Sequence, residues 1–382
     1  MKIQKIETFR LRPRWLLVRV ETDNGLTGWG EQVVEGRAAT TEACVHELEE
    51  YLIGQDPRNI EKIWQTIYRG GFYRGGPVLT SALSGIDQAL WDIKARDLGV
   101  PVYQLLGGAV RDRMEVYSWI DTETPEIAAA SAREKKSMGF RNVKMFGTGA
   151  TGWINDNREM TALLERVQAV RDAVGPDFGI AVDFHGRVHQ GTAKTLLREL
   201  EPMQLLFVEE PVLVENLDVI EQLHRFTSIP LATGERNYTR WGFKEILERG
   251  CADIIQPDLC HAGGISEVRR IAAMAETYDV AVAPHCPLGP IALAACMQID
   301  FSCVNASIQE QSIGMAYNKG QELDSYLKDP SVFSYQGGFV ALMTQPGLGI
   351  EVNEEIVRSR DERDLQWKNP VFYQEDGCVT EW

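Results

Sequence analysis

The middle of the chain reads Ile180-Ala-Val-Asp183, Leu205-Leu-Phe-Val-Glu209 and Ile229-Pro-Leu-Ala-Thr-Gly-Glu235, three short apolar runs that each close on a carboxylate. The carboxylates are 26 residues apart in each case, from 183 to 209 and from 209 to 235. A strand, a helix and two loops of a β/α barrel take about that many residues, since about 250 make eight such units. The spacing therefore predicts three acids at the carboxyl ends of three successive parallel strands, the rim on which barrel enzymes carry their chemistry. Solvation or helix capping would account for any one of them. Three in register point to a shared task.

Like charges so placed repel by about 4 kcal/mol per pair at about 4 Å and an effective dielectric of about 20. Either the acids share protons or a cation sits among them. Hard oxygen ligands without sulfur favour Mg²⁺, or Mn²⁺ in its place, over Zn²⁺.

The 382 residues suffice for two or three domains, and 44% hydrophobic with 25% charged residues is ordinary for a globular protein. No apolar stretch approaches a membrane span, and the opening MKIQKIETFRLRPRW lacks a signal-peptide core. The seven scattered cysteines form no C-x-x-C pair, which reads as reduced thiols and a cytoplasmic location. A net charge of −16 argues against nucleic acid and anionic membrane as partners. An anionic substrate would then need local cations.

Outward from the barrel stretch, Leu16–Thr22 runs through Asp23-Asn24-Gly25 into Leu26–Gly30, a hairpin. Helical stretches follow near 38–53, 57–70 and 79–98, the last ending at Gly99-Val100-Pro101. Residues 1–113 are thus expected to form an α+β domain. From 114 to 336, apolar runs near Tyr117, Val143, Val182, Phe207, Leu231, Ile254, Val282 and Ile308 alternate with amphipathic helices, the rhythm of a (β/α)₈ barrel. A doubly wound sheet would alternate likewise, but the candidate functional residues fall on many strands, as on a barrel rim. The tail, 337–382, is strand-like again and is expected to pack back on the first domain.

Asp183 is followed two residues later by His185, which strand alternation would aim at the same spot. Strands six and seven end in Gln256-Pro-Asp258 and Ala283-Pro-His285. A carboxylate on one imidazole nitrogen orients the ring and raises its basicity, so Asp258 beside His285 would make a general base. A structural His–Asp hydrogen bond is the plainer reading. Glu310 closes strand eight, as a hydrogen-bond donor if protonated or as a surface cap. Lys144, on strand two, suits either a substrate carboxylate or the metal acids. His189 reads as a bystander, and His46, His224 and His261 as inert. Arg14, Glu35, Arg37 and Tyr73 are the candidates from the first domain for contacts with the far end of a substrate. A metal triad with a supported imidazole base suits removal of a proton next to a carboxylate, after which a neighbouring acid expels a β-hydroxyl.

Over its whole length the chain resembles the enolase superfamily, mandelate racemase branch, and more narrowly the galactonate dehydratases within it. The stretches that carry this are Gly71-Phe-Tyr-Arg-Gly-Gly-Pro77, Val182-Asp-Phe-His-Gly-Arg187, Phe207-Val-Glu-Glu-Pro211, Gly234-Glu-Arg236, Gln256-Pro-Asp-Leu-Cys-His-Ala-Gly-Gly264 and the run from Ala283 to Ala295. The resemblance implies a modified (β/α)₇β barrel, with a capping domain built from both termini. It assigns Asp183, Glu209 and Glu235 to Mg²⁺, with Glu209 rather than Glu210 as ligand. It makes His285 the base at carbon 2 of an R-configured acid, Asp258 its support, His185 the acid that expels the carbon-3 hydroxyl, and Glu310 a stabiliser of the intermediate. It also implies a homo-oligomer and a small sugar acid as substrate.

One position departs from the racemases of the branch, whose second base lies in Lys-x-Lys on strand two. Here that site is Phe146. Without a base there, elimination is favoured over racemisation. The expected reaction is dehydration of D-galactonate to its 2-dehydro-3-deoxy acid. D-gluconate, differing at carbon 4, is the alternative within the class, and a non-catalytic sugar-acid or metal-binding protein the alternative outside it.

Overall fold

In this computed structural model residues 1–154, 157–318 and 323–382 are described. The chain opens with an antiparallel meander: β1 (Ile3–Leu11), β2 (Trp15–Thr22) and β3 (Thr27–Glu31). Then come α1 (Ala38–Glu47), α2 (Glu49–Leu52), α3 (Ile60–Gly70), the long α4 (Pro77–Leu98) and α5 (Val102–Leu105). Proline at its first position starts α4, and Gly99 in the left-handed region ends it. β3 lies directly against this helix. A Cβ on Gly30 would stand 1.9 Å from the Gly85 carbonyl oxygen, so the contact admits only glycine. On its other side α4 meets the barrel, where Gln88 Nε2 donates to the carbonyls of both Glu31 and Leu259.

Past β4 (Arg113–Glu115), strands and helices alternate: β5 (Ser118–Trp119), α6 (Pro125–Ser137), β6 (Asn142–Phe146), α7 (Asn157–Val174), β7 (Gly179–Asp183) and α8 (Gln190–Leu200). The series continues with β8 (Phe207–Glu209), α9 (Leu217–Phe226), β9 (Leu231–Thr233), α10 (Thr239–Arg249), β10 (Ile254–Ile255), α11 (Gly264–Glu276), β11 (Ala281–Val282) and α12 (Pro290–Ser302). Strands β5 to β11 pair in sequence order as one parallel sheet. The eighth position, expected as a strand near Ile308, is occupied by a segment that closes the barrel through the single bridges Val116–Gln309 and Val282–Ala306. The fold is a modified barrel with an antiparallel cap.

The barrel interior explains where the chemistry sits. Tyr117, Ala181, Phe207, Ala232, Ala283 and Ile308 pack together inside it. Two residues beyond four of these stand Asp183, Glu209, His285 and Glu310. Side chains two apart along an extended chain share a face, so the layer above the apolar plug is polar.

The tail does more than return to the cap. β12 (Phe339–Ala341) pairs antiparallel with β4, and Gly347 bridges Pro101. After α13 (Glu354–Ser359), Glu362 N donates to Arg10 O and Arg10 N to Asp361, which ties the tail to β1. The last hairpin, β13 (Phe372–Tyr373) with β14 (Val379–Thr380), instead leads to the barrel mouth, where Asn369 and Trp382 line the main cavity. No described helix is long and apolar enough to cross a membrane.

Candidate active site

A cavity of about 210 Å³ opens at the carboxyl ends of the strands, lined among others by Arg14, Glu35, Lys144, Phe146, Asp183, His185, Glu235, His261, His285, Tyr317 and Trp382. Asp183 and Glu209 are direct partners across β7 and β8. Glu235 lies beyond the end of β9, after Gly234, whose φ of 138° leaves the strand conformation; a Cβ there would stand 2.9 Å from Gln256 N. This break in alternation lets a residue one step out of phase reach the cavity.

Each acid has a partner within the protein. Asp183 accepts from His185 N at 2.6 Å and lies 3.3 Å from its Nδ1. Glu209 accepts from Lys144 Nζ at 2.6 Å and from Gln256 Nε2 at 2.7 Å. Glu235 Oε2 is 3.5 Å from His285 Nε2. Burial, against the pull of Lys144, pushes Glu209 up to about 7; burial likewise takes Glu235 to about 7 against His285 and His185. Asp183 goes the other way: burial opposes its charge, but His185, Lys144 and Arg187 outweigh it and hold the carboxyl below its ordinary range.

As the side chains stand, no three His, Cys, Asp or Glu residues among those described converge on one point that would hold a metal. The donor chemistry nevertheless fits a hard divalent cation: oxygen ligands only, on adjacent strand ends, two of them made costly to ionise by burial.

His285 Nδ1 lies 2.7 Å from Asp258 Oδ2, and Asp258 Oδ1 accepts from Cys260 N at 2.5 Å. With Nδ1–H given to Asp258, Nε2 faces Glu235 and, at 4.0 Å, Glu310. Burial works against a charge on His285, but Glu235, Glu310 and Asp258 together hold its pKa well above the usual imidazole range.

Other placements differ from expectation. His185 has a φ of 54°, so it has turned off β7, and this left-handed step rather than strand alternation brings it beside Asp183. Glu310 is no surface cap. It is fully buried and accepts from Trp119 Nε1, Lys144 Nζ and Cys286 N at 2.9, 3.0 and 2.7 Å. The Lys144 ammonium joins Glu209 to Glu310. Burial opposes that charge, yet the two glutamates raise its pKa well above the ordinary lysine value. Glu210 is turned to Arg236 and Thr233.

Of the four candidates from the cap, Arg14 and Glu35 line the cavity and pair at 3.2 Å. Arg37 is exposed, donating to its neighbour Gly36, and Tyr73 is 85% exposed against Phe72; neither lines the cavity. Both sit on loops where nothing local distinguishes a residue facing inward from one facing water. His261, read as inert, does line the cavity. It lies 2.9 Å from Ser81 Oγ on α4, 3.6 Å from Glu35 and 3.8 Å from Asp258. Phe146 also faces the site, its ring tilted by 39° against that of Trp119 with centroids 4.5 Å apart. His189 stacks on Trp153 away from these residues.

Two stretches of the chain match known families. Residues 6–107 match the mandelate racemase / muconate lactonizing enzyme N-terminal domain, and residues 127–356 the enolase C-terminal domain-like family. The chain is 52% identical over 382 residues to the D-galactonate dehydratase of Ralstonia pickettii (strain 12J), covering 100% of both proteins. It is equally similar, 52% over 382 residues and 100% of both, to the D-galactonate dehydratase of Pectobacterium atrosepticum. Among solved structures, an enolase from Agrobacterium radiobacter, bound to Na and L-malate with an ordered active site, superimposes with a TM-score of 0.90 at 33% identity, covering 100% of both chains. The mandelate racemase/muconate lactonizing enzyme-like protein of Rubrobacter xylanophilus gives 0.89 at 32% identity, over 96% of this chain and 99% of that one.

Proposed function

Since this chain belongs to the enolase superfamily, in its mandelate racemase/muconate lactonizing enzyme branch, we propose that it dehydrates a sugar acid, D-galactonate, to 2-dehydro-3-deoxy-D-galactonate and water. The observation that carries this reading is the presence in one cavity of two differently supported imidazoles, His285 held by Asp258 and His185 held by Asp183. Full-length identity with D-galactonate dehydratases supports the choice of acid.

His285 Nε2 takes the proton from carbon 2, and the electron pair left behind moves into the carboxylate. His185 then gives a proton to the carbon-3 hydroxyl, which departs as water while the pair returns to form the carbon 2–carbon 3 double bond. The enol so formed becomes the 2-keto acid. When bound among Asp183, Glu209 and Glu235, Mg²⁺, which members of this superfamily typically use, supplies positive charge where the carboxylate gathers electrons. The Lys144 ammonium lies between Glu209 and Glu310 beneath the site. Phe146 offers no proton acceptor, so the carbanion face it borders cannot be reprotonated from that side chain.

Purified protein with Mg²⁺, offered a set of aldonates that includes D-gluconate, should release 2-keto acid fastest from D-galactonate. Excess chelator should stop turnover. Restored Mg²⁺ should revive it and raise the unfolding free energy by about 2.7 kcal/mol at about 100 times its Kd. Full activity in chelator would remove the cation from the scheme, and an inert protein across the whole set would favour a binding role.

The two imidazoles should be separable. In His185→Asn, dehydration is expected to fall by about 10²–10⁴-fold while deuterium from solvent still enters carbon 2, because proton removal precedes loss of the hydroxyl. NMR of recovered substrate checks this, and equal loss of both processes would contradict the assigned division.

A further inference from the structure

The scheme above leaves Trp382 without a task, although it lines the same cavity as His185 and Glu235. Its ring meets His185 edge to face, with centroids 5.2 Å apart and planes at 90°. Tyr317 and Trp367 each lie 6.2 Å from it, so the indole is one panel of an aromatic wall. Arg14 lies over the rings of Tyr317 and Trp367 at 5.5 and 5.1 Å, which backs the wall from the cap. The hairpin β13–β14 ends two residues before Trp382, and Phe372 on it lies 5.0 Å beneath the Arg187 guanidinium, which fixes the approach of the segment.

The indole nitrogen is the informative atom. Nε1 is buried and has no hydrogen-bond partner among the described residues. Buried indole N–H groups regularly find an acceptor, and this one, on a residue that lines the cavity, has none within the described protein, which leaves the role to a ligand. A sugar acid brings such acceptors in its hydroxyl oxygens. If His185 serves the carbon-3 hydroxyl, a ring packed against His185 on the aromatic side stands next along the substrate. We propose that Trp382 is a specificity-determining residue whose indole N–H donates to a hydroxyl oxygen of the sugar acid beyond carbon 3. This rests on the dehydratase reading and extends it to the distal end of the substrate.

Trp382→Phe keeps an aromatic ring against His185 and Tyr317 and removes the N–H. In the full chain with Mg²⁺, this variant should raise KM for the six-carbon acid by about threefold to tenfold, the worth of one hydrogen bond, with kcat changed by less than about twofold. A truncated analogue of matching configuration, 2,3-dihydroxybutanoate, has no hydroxyl beyond carbon 3. As a competitive inhibitor it should show the same Ki against both proteins. An unchanged KM, an equal weakening of the truncated acid, or a fall in kcat at constant KM would each overturn the proposal, the last by making Trp382 a positioning residue for His185. Wild-type protein inactive on every sugar acid would instead remove the dehydratase reading, and this one with it.

Discussion

In His285→Asn, both formation of the keto acid and incorporation of solvent deuterium at carbon 2 should disappear, each by about 10²–10⁴-fold, with the melting temperature little changed. Asparagine can still give an amide N–H to Asp258 Oδ2, which His285 Nδ1 approaches at 2.7 Å, so the local hydrogen bond need not be lost. What it lacks is a basic lone pair at the position of Nε2, where the cavity begins. Exchange is the decisive readout. It reports proton removal alone and so distinguishes a missing base from a missing acid. Persistent exchange in His285→Asn would move the base elsewhere in the cavity.

The second large effect is on stability. Lys144 is fully buried, and its ammonium is shared by Glu209 at 2.6 Å and Glu310 at 3.0 Å. Lys144→Met keeps most of the side-chain volume but leaves two buried carboxylates facing each other without their cation. Removal of one partner from a buried ion pair costs about 3–5 kcal/mol, because the charge left behind stays desolvated. The midpoint of urea unfolding should therefore drop steeply at unchanged slope. Glu310→Gln on the Lys144→Met background should recover part of the loss, since one of the stranded charges is gone. An unchanged midpoint in Lys144→Met would mean that the glutamates find protons or water instead, and that the lysine is dispensable to the fold.

Much of this arrangement was legible because barrel strands end at regular intervals. Asp183, Glu209, Asp258, His285 and Glu310 could be placed by counting, without knowledge of any contact. The resemblance then separated Glu209 from its neighbour Glu210, and the fold turns the latter to Arg236. Counting failed where the backbone leaves the strand pattern or where partners are remote. The φ of 54° at His185 is invisible in a pattern of alternation. His261 acquires its place through Ser81, 180 residues away, and Lys144 through Glu310, 166 residues away. Arg37 and Tyr73 were drawn from loops, where burial is set by packing that the local sequence does not encode. The barrel-closing segment near Ile308 lost its strand character for a related reason. Its pairing is limited to single bridges, although its apolar run reads like the others.

The helix α4 has a consequence for how molecules enter. It is clamped on one face by β3 and tied on the other to the barrel by Gln88, by Ser84 Oγ accepting from Gly263 N, and by Asp87 accepting from Ser266 N and Oγ. A swing of the whole cap away from the barrel would strip these buried groups of their partners at about 1–3 kcal/mol each. The two bodies therefore behave as one rigid vessel, and traffic passes at its brim. The cavity lining that lies outside regular helices and strands comes in short strips, one carrying Val34 and Glu35 and another carrying Asn369 and Trp382. Turnover should be sensitive to small changes in those strips and indifferent to rigidifying the cap as a unit.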